Sequence, residues 1–177
     1  MTDWERCKAF HGHECGGLTI GYKAALYAKE LLDIKFSEDE QLVCIAENDA
    51  CGLDAIQVLL GCTVGKGNLL FHITGKQAFS FYNRLNGKSV RLVLRPKPEG
   101  LTKEQSFEYF QSLEPSKMFD VKETTIPCPS APSFSIPTSA NAAAKRWAPT
   151  GYASRAAKSS ALTASTNTTA SMYEVTA

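Results

Sequence analysis

The chain has 177 residues, with 19 Lys and Arg against 18 Asp and Glu and a formal net charge of +1. That length is enough for one domain with its own core and no disulfide staples, and the near-neutral balance excludes a bulk electrostatic pull toward nucleic acid or an anionic membrane. No stretch is apolar for the roughly 18 residues a membrane span needs, and Met1 to Arg6 has no basic leader ahead of an apolar run. A cytoplasmic protein is expected, and its six cysteines are read as metal ligands, reactive thiols or core residues.

Thr2 to Phe10 has the pattern of a short amphipathic helix, with Trp4, Cys7 and Phe10 inside and Asp3, Glu5, Arg6 and Lys8 outside. It delivers the chain to His11-Gly12-His13-Glu14-Cys15-Gly16-Gly17. Residues two apart in an extended or turning segment project to one side, so His11, His13 and Cys15 can face a common point. The glycines let the backbone turn. Imidazole with thiolate is the donor mix that zinc, or another borderline-soft divalent metal, prefers. Leu18 to Leu32 keeps helical spacing through Leu18, Tyr22, Ala25, Leu26 and Leu32. Cys15 to Gly17 therefore sit at a helix N-terminus, where free amide hydrogens stabilise a thiolate or anion.

Gln41 to Ala46 is a short apolar run, expected as a buried strand, with Cys44 as a core residue. At its end Asn48 or Asp49 is expected to cap a helix with an inner stripe of Leu53, Ile56 and Leu60. Cys51 falls in its first turn and shares a face with Asp54, three residues on. Cys62 follows the C-terminal glycine Gly61. Thr63 to Asn68 is a loop whose Lys66 is a candidate anion holder; it lacks the register of a phosphate-binding loop. Leu69–Thr74 and Ala78–Tyr82 alternate as strands about a Gly75-Lys76 turn, which predicts a hairpin. His72 falls on one face of it. Asn86-Gly87 turns the chain into a strand over Ser89–Arg95, stopped by Pro96 and Pro98. Thr102 is expected to cap a helix to about Leu113, with Phe107, Phe110 and Leu113 inside, and Met118–Thr124 to close the domain as a strand. This order gives an α+β or α/β sandwich with a mixed sheet. After Ile126 the composition turns to Ala, Ser, Thr and Pro with no acidic residue until Glu174, so residues 127–177 are expected to form a disordered, low-complexity tail beyond a core of residues 1–126.

Phe10 to about Lys122 resembles the FmdE family of formylmethanofuran dehydrogenase proteins. The resemblance rests on His11-Gly12-His13-Glu14-Cys15, on Glu47-Asn48 with Cys51 and Asp54-Ala55-Ile56-Gln57, and on Gly61-Cys62-Thr63 followed by Gly65-Lys66-Gly67-Asn68-Leu69. It implies an α+β, thioredoxin-like core with a mixed sheet, a metal-binding active site in that core, and a small C-terminal zinc domain built on cysteines. Two features depart from the family: Cys15-Gly16-Gly17 stands where Cys-Pro-Gly is usual, and the tail carries only Cys128, too few ligands for a zinc domain. A reading frame shifted near Pro127 accounts for such a tail. The metal candidates are His13, Cys15, Cys51 and Cys62, with His11 replacing one of them or orienting the site. Asp54 is expected as an acceptor behind the ligands or as a proton acceptor, and Lys66 as the anion holder. The expected partners are a second copy of the chain or a larger oxidoreductase complex, with no nucleic acid and no membrane. The alternative is a redox-active or accessory component that delivers metal or cofactor to a molybdenum or tungsten oxidoreductase.

Overall fold

The computed structural model describes residues 1–130; nearly all of the expected tail therefore lies outside the described residues. None of the helices described is long and apolar enough to cross a membrane.

Two helices open the chain. α1 (Asp3–His11) begins at Thr2, whose hydroxyl accepts from the Glu5 amide while the Glu5 carboxylate accepts from the Thr2 amide. This reciprocal cap satisfies two of the free amides at the helix start. Cys7 is buried as expected, but Phe10, expected inside, is 58% exposed. α2 (Gly16–Leu32) buries Leu18, Ile20, Ala24, Ala25, Ala28 and Leu32.

β1 (Leu42–Ala46) is buried at every position, so both faces and both edges need partners. α3 (Gly52–Leu60) follows and ends at Gly61, whose φ of 69° supplies the left-handed turn. The remaining elements are β2 (Leu69–Phe71), β3 (Ala78–Asn83), β4 (Ser89–Leu94), α4 (Lys103–Ser112), the single turn α5 (Pro115–Met118) and β5 (Phe119–Lys122). α4 has the cap read from Thr102, closed reciprocally by Gln105. The sheet runs β2-β1-β3-β4-β5. β2 is parallel to β1, and the other neighbours are antiparallel. This is the mixed sheet of an α+β domain.

The expected hairpin of Leu69–Thr74 with Ala78–Tyr82 does not form. β1 lies between the two strands, pairing Cys44 with Leu69 on one edge and with Phe81 on the other. A strand apolar along its whole length gains more from two ladders than the adjacent segments would gain from one. The connection instead wraps the end of β1: the His72 amide donates to Ala46 O (2.8 Å), and those of Thr74 and Gly75 to Glu47 O (3.0 Å each).

One face of the sheet contributes Leu42, Cys44, Ala46, Phe79, Phe81, Val90 and Leu92 to the main core with α2 and α3. The other carries a small cluster of Val43, Ile45 and Tyr82, against which Leu70 and Ile126 pack. Beneath it Glu47 and Arg91, both largely buried, form a two-pronged ion pair at 2.5 and 2.9 Å.

Candidate metal centre

The two helices α2 and α3 meet at their N-termini through glycines. A Cβ built on Gly21 would lie 1.9 Å from the Gly52 carbonyl oxygen, and one on Gly17 would lie 3.1 Å from Cys51 Cβ. Only hydrogen fits at Gly21, so backbone packs on backbone. Gly16 and Gly17, which the sequence pattern assigns to a turn, are instead the first residues of α2, and close approach is what requires glycine at 17, 21 and 52. The consequence is that Cys15, capping α2, and Cys51, capping α3, are neighbours. The position of the Gly17 Cβ would be 3.5 Å from the Cys51 sulfur and 3.8 Å from that of Cys15. Burial pushes the Cys51 thiol up, and the Cys15 side chain hydrogen-bonded to it adds to the shift.

The local turn that gathers the histidines has a simple origin. α1 ends on His11, and Gly12, at φ 90°, reverses the chain in a left-handed cap whose amide donates to Lys8 O. Three residues later Cys15 adopts extended backbone and accepts from the Leu18 amide at 3.2 Å. One nitrogen each of His11 and His13 and the sulfur of Cys15 thereby come within 4.8 Å of one another. The imidazole rings lie 4.5 Å apart at 35°.

His11 is held from behind. Its Nδ1 is 2.7 Å from Asp54 Oδ2, and the second oxygen of that carboxylate accepts from Gln57 Nε2 at 3.1 Å. A carboxylate only accepts, so Nδ1 carries the hydrogen and Nε2 keeps its lone pair. That lone-pair nitrogen is 3.7 Å from Cys15 Sγ. A nitrogen at about 2.05 Å and a sulfur at about 2.3 Å from one tetrahedral zinc are separated by about 3.5 Å. The donor set therefore fits a zinc-sized ion, with His11 and Cys15 close to their bonded spacing. His13 is exposed, and a small rotation brings it in.

Of the residues singled out in the sequence, His11, His13, Cys15, Cys51 and Asp54 are brought together. Cys62 and Lys66 are not. Cys62 lies beyond the other end of α3, about 13 Å of helical rise from Cys51. Its thiol is fully buried, donates to Leu42 O and is pushed up to about 12 by that burial. The Lys66 ammonium donates to Ser37 O (2.8 Å) and Glu38 O (3.4 Å) and sits over the Phe36 ring, so it ties a loop. The expected helix cap also moves: Asn48 accepts from the Ala50 amide and donates to Lys76 O, which leaves Cys51 at the cap with no side-chain bond. Sequence reasoning passes over Gly21 and Gly52, although a glycine inside a helix costs about 1 kcal/mol against alanine and therefore asks for a reason. It also misses an open cavity of about 710 Å³, walled by Glu14, Cys15 and Gly16 on one side and by Lys97 and the first two turns of α4, with Phe107, on the other.

Residues 10–125 match the protein family described as "FmdE, Molybdenum formylmethanofuran dehydrogenase operon". The chain is 26% identical to an FmdE-like protein of tungsten formylmethanofuran dehydrogenase type, from Syntrophus aciditrophicus, of known crystal structure. That match has a TM-score of 0.54 and covers 69% of this chain and 70% of the other. The chain is also 35% identical over 91 residues to a protein of Archaeoglobus fulgidus described as a "Probable S-adenosyl-L-methionine-binding protein". The match covers 49% of this chain and spans only a quarter of that relative's length (25%).

Proposed function

The chain belongs to the FmdE family, and on that premise we propose that it is a cytoplasmic metal-binding protein whose ion is zinc. The observation that carries this reading is the line Asp54–His11–Cys15, in which a carboxylate fixes the ring so that its bare nitrogen faces a sulfur. His11 Nε2, Cys15 Sγ and a nitrogen of His13 are the ligands, and Cys51 is the fourth. Asp54 holds His11 in the ligating tautomer, and Gln57 holds Asp54. A zinc ion bound there supplies Lewis acidity to a group placed beside it. The cavity over Cys15 is open to such a group, and the exposed His13 is the ligand most easily displaced.

The test is metal analysis of the purified full chain after growth with zinc, repeated for His11→Ala and Cys15→Ser. One equivalent of zinc, lost in both variants while the fold persists, supports the reading. A wild-type chain that takes up no metal even after reconstitution refutes it.

A second reading is an accessory domain that hands metal or cofactor to a larger oxidoreductase. It is favoured by the exposure of His13 and by the similarity of this chain to one quarter of a much longer protein. Zinc that dissociates slowly and is not taken up by an acceptor protein argues against it.

A further inference from the structure

We infer that Cys15 and Cys51 form an oxidation site, and that their disulfide expels the metal. The inference builds on the proposed metal centre but stands on separate geometry. The side chains cap the N-termini of two helices that pack backbone to backbone, and both sulfurs lie within 4 Å of one point beside Gly17. Neither side chain is fully buried, whereas Cys7, Cys44 and Cys62 are 0% exposed. Cys15 also lines the open cavity, so a small oxidant reaches that sulfur first.

Hydrogen peroxide supplies a balanced route. The Cys15 sulfur attacks one peroxide oxygen, the O–O bond breaks, and a sulfenic acid forms with release of water. The Cys51 sulfur then attacks the Cys15 sulfur and displaces the hydroxyl as a second water. Two thiols lose two electrons and two protons, and peroxide gains them. A disulfide sulfur is a poor ligand compared with a thiolate, so the site falls from four donors to two. His11 and His13 alone do not retain the ion.

The experiment treats the full chain with hydrogen peroxide, in the zinc-loaded form and after stripping with a chelator. It reads zinc release with a chromogenic chelator and maps the bridge by peptide mass. Cys15 falls in the tryptic segment 9–23, and Cys44, Cys51 and Cys62 share segment 36–66. A further cut before Asp49 and Asp54 isolates Cys51. A Cys128→Ser background removes the exposed thiol that would link two chains.

The expected result is a Cys15–Cys51 bridge, release of about one equivalent of zinc per bridge, and reversal of the bridge by dithiothreitol. In Cys51→Ser the Cys15 sulfenic acid persists and is trapped by dimedone. A bridge in a chain that never binds metal supports the oxidation site and removes the proposed metal centre. Oxidation of Cys15 to sulfinic acid with Cys51 still reduced, or bridges only among other cysteines, overturns the inference even if zinc binds.

Discussion

Replacing Gly21 with alanine tests whether glycine contact between α2 and α3 builds the site. An ideal Cβ at Gly21 falls 1.9 Å from the Gly52 carbonyl oxygen and 2.4 Å from its carbonyl carbon and Cα. A relaxed carbon–oxygen contact is about 3.3 Å or more, so the helices must part by about 1.4 Å. The atoms struck are backbone and cannot rotate aside. Overpacking of this kind costs about 1–3 kcal/mol, occasionally more, against a helix-propensity gain of about 1 kcal/mol for alanine. The position inside α2 is otherwise ordinary, so a net loss of about 2 kcal/mol is expected. Gly16→Ala is the matched control in the same helix. Its Cβ meets only the edge of Phe110 at 3.6 Å, so it is expected to be neutral or to stabilise by up to about 1 kcal/mol. At about 4 °C per kcal/mol for a domain of this size, thermal unfolding followed by circular dichroism should separate the two variants by about 8–12 °C. Gly21→Ala should also bind zinc more weakly, because parting the helices separates Cys15 from Cys51. If Gly21→Ala melts with or above Gly16→Ala, the close approach is not what holds these helices, and the account of how the sulfurs meet fails with it.

Asp54→Asn should lower zinc affinity roughly tenfold, the smaller end of the range of about 10–100 for such supporting groups, since an amide oxygen still accepts from His11; unchanged affinity in a chelator competition would remove Asp54 from the site. Arg91→Met strands the Glu47 carboxylate, which is 6% exposed, and should cost about 3–5 kcal/mol in urea unfolding. The Arg91 hydrogen bond holds the Glu47 carboxyl below its ordinary value despite opposing burial, with a smaller contribution from Thr74. Its stabilisation is therefore full above an unfolded pKa of about 4.3 and fades as pH falls through the lower folded value. Glu47→Gln should flatten that acid limb, and an unaltered limb would show that another carboxylate produces it. Asn68 is fully buried, donates to Leu42 O, Gly61 O and Asp39 O, and accepts from the Thr63 amide. Asn68→Ala should cost about 2–4 kcal/mol through orphaned groups yet leave zinc per folded molecule unchanged, because this loop lies at the other end of α3; selective loss of zinc would contradict that placement.

What the sequence made legible is what neighbours in the chain decide. Thr2 with Glu5 and Thr102 with Gln105 announce two helix starts. Gly61 announces an end, and His11, His13 and Cys15 converge because a helix cap and the next helix start are only a few residues apart. The misreadings are those in which a distant partner wins. Leu69–Phe71 and Ala78–Asn83 look like a hairpin from within their own segment, but β1 offers each a longer apolar ladder. Cys62 looks like a ligand beside a family motif, but its thiol points into the core toward Leu42.

Cys51 is the instructive case, because the sequence supplies its chemistry and not its position. Nothing in residues 51–54 says that they lie against residues 15–21. That information is carried by an omission of side chains at Gly17, Gly21 and Gly52, whose effect exists only once the two helices touch. The same omission makes the site and the packing one structure: a methyl group that would improve either helix alone would push apart the sulfurs between them. A residue can thus be essential to a metal centre while offering it no atom, and the glycines of α2 and α3 are therefore as diagnostic of this site as its cysteines.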